Sequence, residues 1–148
     1  MRSDGDMKIE YRDDLPLAYE YAELFETTGW NTAYQASAEE LSKALRQSWY
    51  TVSAYEGDGL VGFGRVVSDG VLHALVCDLI VPPSHQRRGI GSEILARLVQ
   101  KCTSAGIRDI QLFSAAGKSG FYAKRGFKKR AADAPGMQLS GGNREIKY

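Results

Sequence analysis

The residues best suited to chemistry lie in the stretch 81–92, where the spacing Q-x-x-G-x-G runs from Gln86 to Gly91. Glycine has no Cβ, so a bulky anion can approach the backbone closely at such a turn. If a helix begins here, its first N–H groups are unpaired, and its dipole favours negative charge beside them. Arg87 and Arg88 add positive charge at the same place. The stretch therefore predicts a site for a phosphate or pyrophosphate.

The segments on either side are suited to hold this turn. The run from Val71 to Val81 is apolar apart from His73 and Asp78, which is typical of a buried strand. After the turn, apolar residues recur with the spacing of one helix face, at Ile90, Ile94, Leu95, Leu98, Val99 and Cys102. We therefore expect a strand, a tight glycine-bearing turn and a helix, in that order.

The motif is neither the P-loop pattern G-x-x-x-x-G-K-[ST] nor the dinucleotide fingerprint G-x-G-x-x-G. A strand followed by Q-x-x-G-x-G is similar to motif A of the GCN5-related N-acetyltransferase (GNAT) family, which binds the pyrophosphate of acetyl-CoA. About thirty residues later, the stretch from Phe121 to Phe127 (FYAKRGF) resembles the F-Y-x-x-x-G-F signature of the same family. The chain is identified on these motifs as a member of that family, resembling its small bacterial-type members.

The resemblance implies direct acetyl transfer from acetyl-CoA to an amine, with no metal and no covalent intermediate. Tyr122 matches the family tyrosine that acts as general acid towards the departing thiolate, and a phenol with a pKa near 10 is protonated at pH 7. The backbone N–H near Ile80 would polarise the thioester carbonyl. The implied cofactor-binding residues are Leu79, Ile80, Val81, Gln86, Arg87, Arg88, Gly89, Ile90, Gly91, Ser92, Gly117, Phe121, Tyr122 and Arg125.

The general base is where this chain departs from its relatives. Leu75 occupies the position at which two branches of the family carry a glutamate or a histidine, and Ala115 replaces a frequent asparagine. Asp78 and His73 are the nearest titratable residues on the same strand. We expect Asp78 to be the base, although a carboxylate bonded to turn or helix N–H groups explains it equally well.

The acceptor amine is expected to meet the loop 29–34 and the strand that carries Arg65. Trp30 and Tyr34, with Trp49, are suited to form an aromatic wall, although core and loop packing also explains the tryptophans. The G-W-N sequence resembles that of small bacterial acetyltransferases and favours a small amine. Three alternatives remain open: a protein or peptide acceptor, a CoA-binding sensor without turnover, and a generic nucleotide-phosphate binder.

Composition limits the remaining possibilities. The chain has 148 residues, 43% hydrophobic and 25% charged, and a net charge of +1, so we expect one domain over 1–148 without a nucleic-acid partner. Residues 1–6 are expected to be a disordered leader, and 124–130 a basic cluster that is either a solvated face or a contact for CoA phosphates. No apolar run approaches ~18 residues, so no membrane partner is predicted. Cytoplasm is the expected compartment, and a homodimer through 137–139 is a further expectation.

Helix and strand signals give the order β-α-α-β-β-β-α-β-α-β-(β), which indicates an α/β fold. Its sheet should be mixed, mostly antiparallel and six- to seven-stranded, with helices on both faces. The last two strands are expected at 127–130 and 137–139. Gly62 and Gly64 lie on one face of the third strand, where they admit either a ligand or a closely packed helix. Cys77 and Cys102 are expected to be buried small hydrophobes.

Overall fold

The computed structural model describes residues 8–139. Its strands are β1 (Ile9–Arg12), β2 (Tyr50–Glu56), β3 (Gly59–Ser68), β4 (His73–Ile80) and β5 (Asp109–Leu112). Its helices are α1 (Ala18–Glu26), α2 (Asn31–Tyr34), α3 (Ala38–Arg46), α4 (Ile90–Ser104) and α5 (Ser119–Ala123). A 3₁₀ turn, Pro83–His85, precedes α4. The short helix α2 lies where the sequence predicted only a loop.

The five strands form one sheet in the order β1-β2-β3-β4-β5. The first three pairings are antiparallel, and β4 pairs with β5 in parallel. Two hydrophobic clusters cover the two faces: one contains the buried side of α4, and the other contains α1 and α3. The predicted mixed, mostly antiparallel sheet with helices on both faces is confirmed.

The predicted strand count is wrong by one or two within the described residues. Neither 127–130 nor 137–139 forms a strand, and Met137 and Leu139 are exposed. Lys128, Lys129 and Arg130 follow one another after Phe127, so this run lacks the apolar alternation that a half-buried strand needs. The expected leader, 1–6, lies outside the described residues.

Glycines in β3 allow α4 to approach the sheet closely. A Cβ on Gly62 would lie 2.9 Å from both Ile90 and Ile94, and a Cβ on Gly64 would lie 2.8 Å from Ile94. Such distances leave no room for a methyl group. Of the two explanations considered for these glycines, the structure therefore supports helix packing rather than ligand approach.

The start of α3 is held by a capping box. The Ser37 side chain accepts a hydrogen bond from the Glu40 N–H, and the Glu40 carboxylate accepts one from the Ser37 N–H. This arrangement satisfies two N–H groups that the helix itself leaves unpaired. Leu41 and Leu45 then face the core, which fixes α3 beside the strand that carries Arg65.

A bulge interrupts β4 at Asp78. Phe63 of β3 lies opposite Ile80 and Arg65 lies opposite Cys77, so β4 uses one more residue than β3 over this interval. Asp78 has a φ of 54°, a left-handed conformation that is uncommon for a residue other than glycine. Bulges bend a strand and redirect its side chains, and they are frequent beside active sites.

Candidate active site

A slot opens where β4 and β5 diverge. The two strands are paired from His73 to Val76 on β4 and from Asp109 to Leu112 on β5, and beyond these positions β4 continues without a β5 partner. A cavity of about 130 Å³ lies at the opening. The residues around it are mostly apolar: Trp30, Leu75, Val76, Cys77, Asp78, Leu79, Phe113, Ala115 and Tyr122.

Tyr122 borders this slot from α5. Its ring packs edge-on against Phe121, with centroids 5.1 Å apart, and against Phe127 at 6.1 Å. Burial raises the pKa of the Tyr122 phenol above its ordinary value. The group is therefore a proton donor at neutral pH and a poor proton acceptor.

The glycine-bearing turn is left-handed at two positions. Arg87 has a φ of 64° and Gly89 a φ of 81°, and α4 begins at the next residue. A Cβ on Gly89 would meet nothing within 4 Å, so the approach to this glycine is open. The Gln86 amide donates to the Val81 carbonyl at 2.9 Å and closes the turn against the end of the β4 segment. The predicted strand, turn and helix are confirmed.

Arg125 brings positive charge to the first turn of α4. Its Nε and Nη2 atoms donate to the Ser92 hydroxyl at 3.2 and 2.7 Å, and Nη1 donates to the Phe121 carbonyl at 2.7 Å. The guanidinium carbon lies 3.8 Å from the centre of the Phe121 ring. Because a Cβ on Gly91 would lie 3.8 Å from Phe121, this ring joins the helix start to the slot beside Tyr122.

Glu56 is a site residue that sequence reasoning missed. Its carboxylate accepts from Arg88 Nη2 at 2.7 Å and lies 3.4 Å from His85 Nε2, so the end of β2 is joined to the glycine-bearing turn. The bond to Arg88 is the main reason that the pKa of Glu56 is lowered. No local sequence pattern reveals this contact, because 32 residues separate Glu56 from Arg88.

Asp78 and Arg65 form an ion pair on the α3 side of the sheet. Arg65 Nε donates to Asp78 Oδ2 at 2.6 Å, and the two side chains are only 17% and 16% exposed. Arg65 was predicted to face the acceptor and Asp78 to be the base; the structure places them against each other. Taking a proton on Asp78 would weaken a charge-assisted hydrogen bond.

The other candidate residues for the acceptor and the base do not all lie at the slot. Trp30 lines the slot, and Trp30 and Tyr34 both pack against Phe25, each with ring centroids 6.0 Å from that ring. Trp49 lies against Gly70, at the turn between β3 and β4, so the three-residue aromatic wall is not formed. His73 begins β4 with its Nδ1 3.6 Å from an Asp109 carboxylate oxygen, and it does not border the slot.

Gly117 and the two cysteines complete the predicted set. Gly117 has a φ of 76° in the loop that leads into α5, and a Cβ there would meet nothing within 4 Å. Cys102 is buried as expected, whereas Cys77 is half-buried and borders the slot.

Within residues 8–139, no group of three or more His, Cys, Asp or Glu side chains is placed to hold a metal ion. Among the same residues, no helix has the length and apolar character needed to cross a membrane.

A mixed sheet that opens between two parallel strands, next to a glycine-bearing helix start, is the architecture expected of a CoA-binding acyltransferase. Residues 18–135 match the family model described as the acetyltransferase (GNAT) domain. The chain therefore belongs to the GNAT acetyltransferase family.

Comparison with individual proteins agrees with this assignment. The uncharacterized N-acetyltransferase ycf52 of Pyropia yezoensis is 30% identical over 141 residues, which cover 88% of this chain and 79% of the relative. A solved GNAT-family acetyltransferase from Streptococcus pneumoniae, SP0256, is 31% identical, has a TM-score of 0.74, and is matched over 93% of this chain and 100% of its own.

A third relative carries a substrate in its name. Serotonin N-acetyltransferase 2, chloroplastic, of Oryza sativa subsp. japonica is 38% identical over 93 residues. The match covers 60% of this chain and 46% of the relative.

Proposed function

We propose that this chain transfers the acetyl group of acetyl-CoA directly to the primary amine of a small molecule. The observation that carries the proposal is the position of Tyr122, at a slot between two parallel strands and one ring contact away from an anion-accepting helix start. Membership of the GNAT family supplies the reaction class.

The residues present fit acetyl-CoA as cosubstrate. Its pyrophosphate would lie against the first N–H groups of α4, where Gly89 leaves the backbone open and Arg125 supplies positive charge. Its pantetheine arm would follow the part of β4 that has no β5 partner, including Leu79 and Ile80. The basic residues after Tyr122 would face the remaining phosphate.

The chemistry needs one bond made and one broken. The amine nitrogen attacks the thioester carbonyl, the carbon–sulfur bond breaks, and the sulfur leaves as a thiolate. We infer that the Tyr122 hydroxyl donates its proton to this thiolate, because the phenol is protonated and half-buried beside the slot. The backbone amides of the β4 bulge would stabilise the negative charge that develops on the carbonyl oxygen. The nitrogen loses one proton as the amide forms, and a proton returned through water restores the Tyr122 phenol, so the enzyme is regenerated.

The acceptor proposed is a small amine with an aromatic or apolar body. Trp30, Leu79 and Phe113 line the slot, and Asp78 is the one acidic residue among those that border it. The name of the rice relative is consistent with an arylalkylamine.

An amine panel tests the proposal. Thiol release from acetyl-CoA is measured with tryptamine, spermidine and an alanyl peptide, and thermal shift is measured with acetyl-CoA and with ATP. We expect stabilisation by acetyl-CoA alone and the fastest turnover with tryptamine. Faster turnover with the peptide would refute the small-molecule acceptor. Stabilisation without any thiol release would identify a sensor, and stabilisation by ATP instead would overturn the CoA site.

Compartment and assembly are proposed with the same enzyme. We place it in the cytoplasm as a homodimer in which 137–139 contribute to the contact, since Met137 and Leu139 are exposed apolar side chains. Imaging of a tagged chain tests the first statement, because the rice relative carries the word chloroplastic in its name. Light scattering on the purified chain tests the second, and a monomer mass would refute it.

A further inference from the structure

We propose that Arg65 is a positioning residue for the acetyl transfer: through Asp78 it holds the β4 bulge whose backbone borders the slot. In this role Asp78 anchors the bulge and does not take the amine proton. The kinetic test of this inference rests on the proposed function. Its structural test depends only on the geometry of β3 and β4.

The bulge needs an anchor because its backbone is unfavourable. Asp78 has a left-handed φ of 54° and is the extra residue between the pairs Arg65–Cys77 and Phe63–Ile80. Residues held in sparsely populated backbone regions persist only where their surroundings fix them, and they cluster at functional sites. β4 cannot rely on β5 here, because the pairing with that strand ends at Val76.

The side chain of Asp78 supplies that anchor. Its Oδ2 accepts from Arg65 Nε at 2.6 Å, a short charge-assisted bond between two side chains that are less than one-fifth exposed. Because Arg65 lies opposite Cys77 on the neighbouring strand, this bond joins the bulge to regular β3 backbone. A shift of Asp78 would therefore move the amides on either side of it.

Arg65 is held in turn from the helix above. Its Nη1 donates to the Ala44 carbonyl at 3.4 Å and to the Ser48 hydroxyl at 3.3 Å. Ala44 lies in the last turn of α3, where carbonyl groups carry partial negative charge and favour a cation. The chain of contacts runs from α3 through Arg65 to Asp78 and ends at the slot, which Asp78 shares with Tyr122.

The same contacts argue against Asp78 as the base. Protonating its carboxylate would leave a largely buried guanidinium without its counter-charge, which is costly. Although burial acts to lower it, the pKa of Arg65 is raised by the neighbouring Asp78 charge, so Arg65 stays charged. The other titratable groups that face the pair are Cys77 on β4 and Tyr21 on α1, with Tyr122 across the slot.

Kinetics of four variants separate the two roles of Asp78: Arg65→Met, Arg65→Lys, Asp78→Asn and the double variant Arg65→Met/Asp78→Asn. An anchor predicts that Arg65→Met lowers kcat at least about tenfold, since small misplacement of reacting groups is costly, and leaves the KM for acetyl-CoA within about threefold. Arg65→Lys recovers part of the loss, and the double variant is no worse than the poorer single one. If Asp78 is an anchor, the kcat of Asp78→Asn still falls at low pH, as that of the wild type does. If Asp78 is the base instead, Arg65→Met stays active, and the fall of kcat at low pH disappears in Asp78→Asn.

A readout independent of turnover separates failure of this inference from failure of the proposed function. Hydrogen exchange of the amides from 77 to 80 is measured in the wild type, in Arg65→Met and in Arg12→Met, which removes the exposed pair between Arg12 and Glu10. We expect at least about tenfold faster exchange in Arg65→Met alone. Unchanged exchange would overturn the anchor whatever the enzyme acetylates. Absence of turnover in the wild type would overturn the proposed function and leave the exchange result to stand.

Discussion

The Tyr122 hydroxyl is suited to its proposed role by its environment rather than by a charged partner. Burial is the cause of its raised pKa, and the rings of Phe121 and Phe127 pack edge-on against it. The phenol therefore remains protonated up to a higher pH than a free tyrosine. A phenol kept protonated by burial needs no charged neighbour to act as a proton donor. This suits a reaction in which the leaving sulfur is the atom that needs a proton.

Replacing Tyr122 by Phe removes the donor and keeps the ring. We expect kcat to fall about 100-fold, the usual range for loss of a general acid, while the KM for acetyl-CoA changes little. Steady-state rates of thiol release measure both constants. Tyr19→Phe, on an exposed position of α1, is the matched control and should behave as the wild type. A Tyr122→Phe enzyme with normal kcat would exclude the phenol as the acid.

Arg125 is expected to act on binding alone. Its guanidinium is held by Ser92, in the first turn of α4, and by the Phe121 carbonyl in α5, so under the proposed function it would meet the phosphates and not the reacting atoms. Arg125→Ala should raise the KM for acetyl-CoA about tenfold, in line with the loss of a charge-assisted contact, with kcat nearly unchanged. Lys124→Ala, next to it and equally basic, is the control. Equal effects of the two substitutions would indicate a diffuse positive field instead of a specific contact.

Among the helices and strands, those that depend on local sequence patterns could be predicted, whereas contacts between residues far apart in the chain could not. The apolar run from 71 to 81 placed β4 within two residues at each end, and the apolar spacing after Gly89 placed α4. The ties that shape the site, Glu56 to Arg88 and Arg65 to Asp78, join residues 32 and 13 positions apart. No periodicity reports such pairs, because each depends on how the strands align across the sheet.

Because α4 packs closely on β3, a side chain at Gly64 should destabilise the fold. A Cβ on Gly64 would lie 2.8 Å from Ile94 and 2.9 Å from Leu98, so Gly64→Ala should destabilise the fold by about 1–3 kcal/mol. Gly120 in α5 meets nothing within 4 Å, and Gly120→Ala should be neutral or stabilise by up to about 1 kcal/mol. Urea unfolding followed by circular dichroism measures both. Equal stability of the two variants would mean that α4 can move away from the sheet at little cost.

Across the whole molecule, burial raises the pKa of several phenols and thiols. Burial raises the pKa of Tyr21, which is 1% exposed, and that of Tyr122, and it raises the pKa of Cys77 to about 11. In the unfolded chain, a thiol ionises near 9.0 and a tyrosine near 10.0. Between those values and the raised ones, the unfolded chain has lost protons that the folded chain keeps. Stability must therefore fall as the pH rises through this window.

Cys77 makes this dependence measurable. The Cys77 thiol has a pKa near 9.0 in the unfolded chain and about 11 in the folded chain. Because of this difference, the free energy of unfolding should fall by about 2 kcal/mol between pH 8 and pH 11. Cys77→Ala removes that part and keeps the contribution of the tyrosines. We expect the urea-derived free energy of the variant to fall with pH by about 2 kcal/mol less than that of the wild type. Parallel pH dependences for the two proteins would show that the thiol ionises freely in the folded chain, and hence that the slot beside it is wetter than its apolar lining indicates.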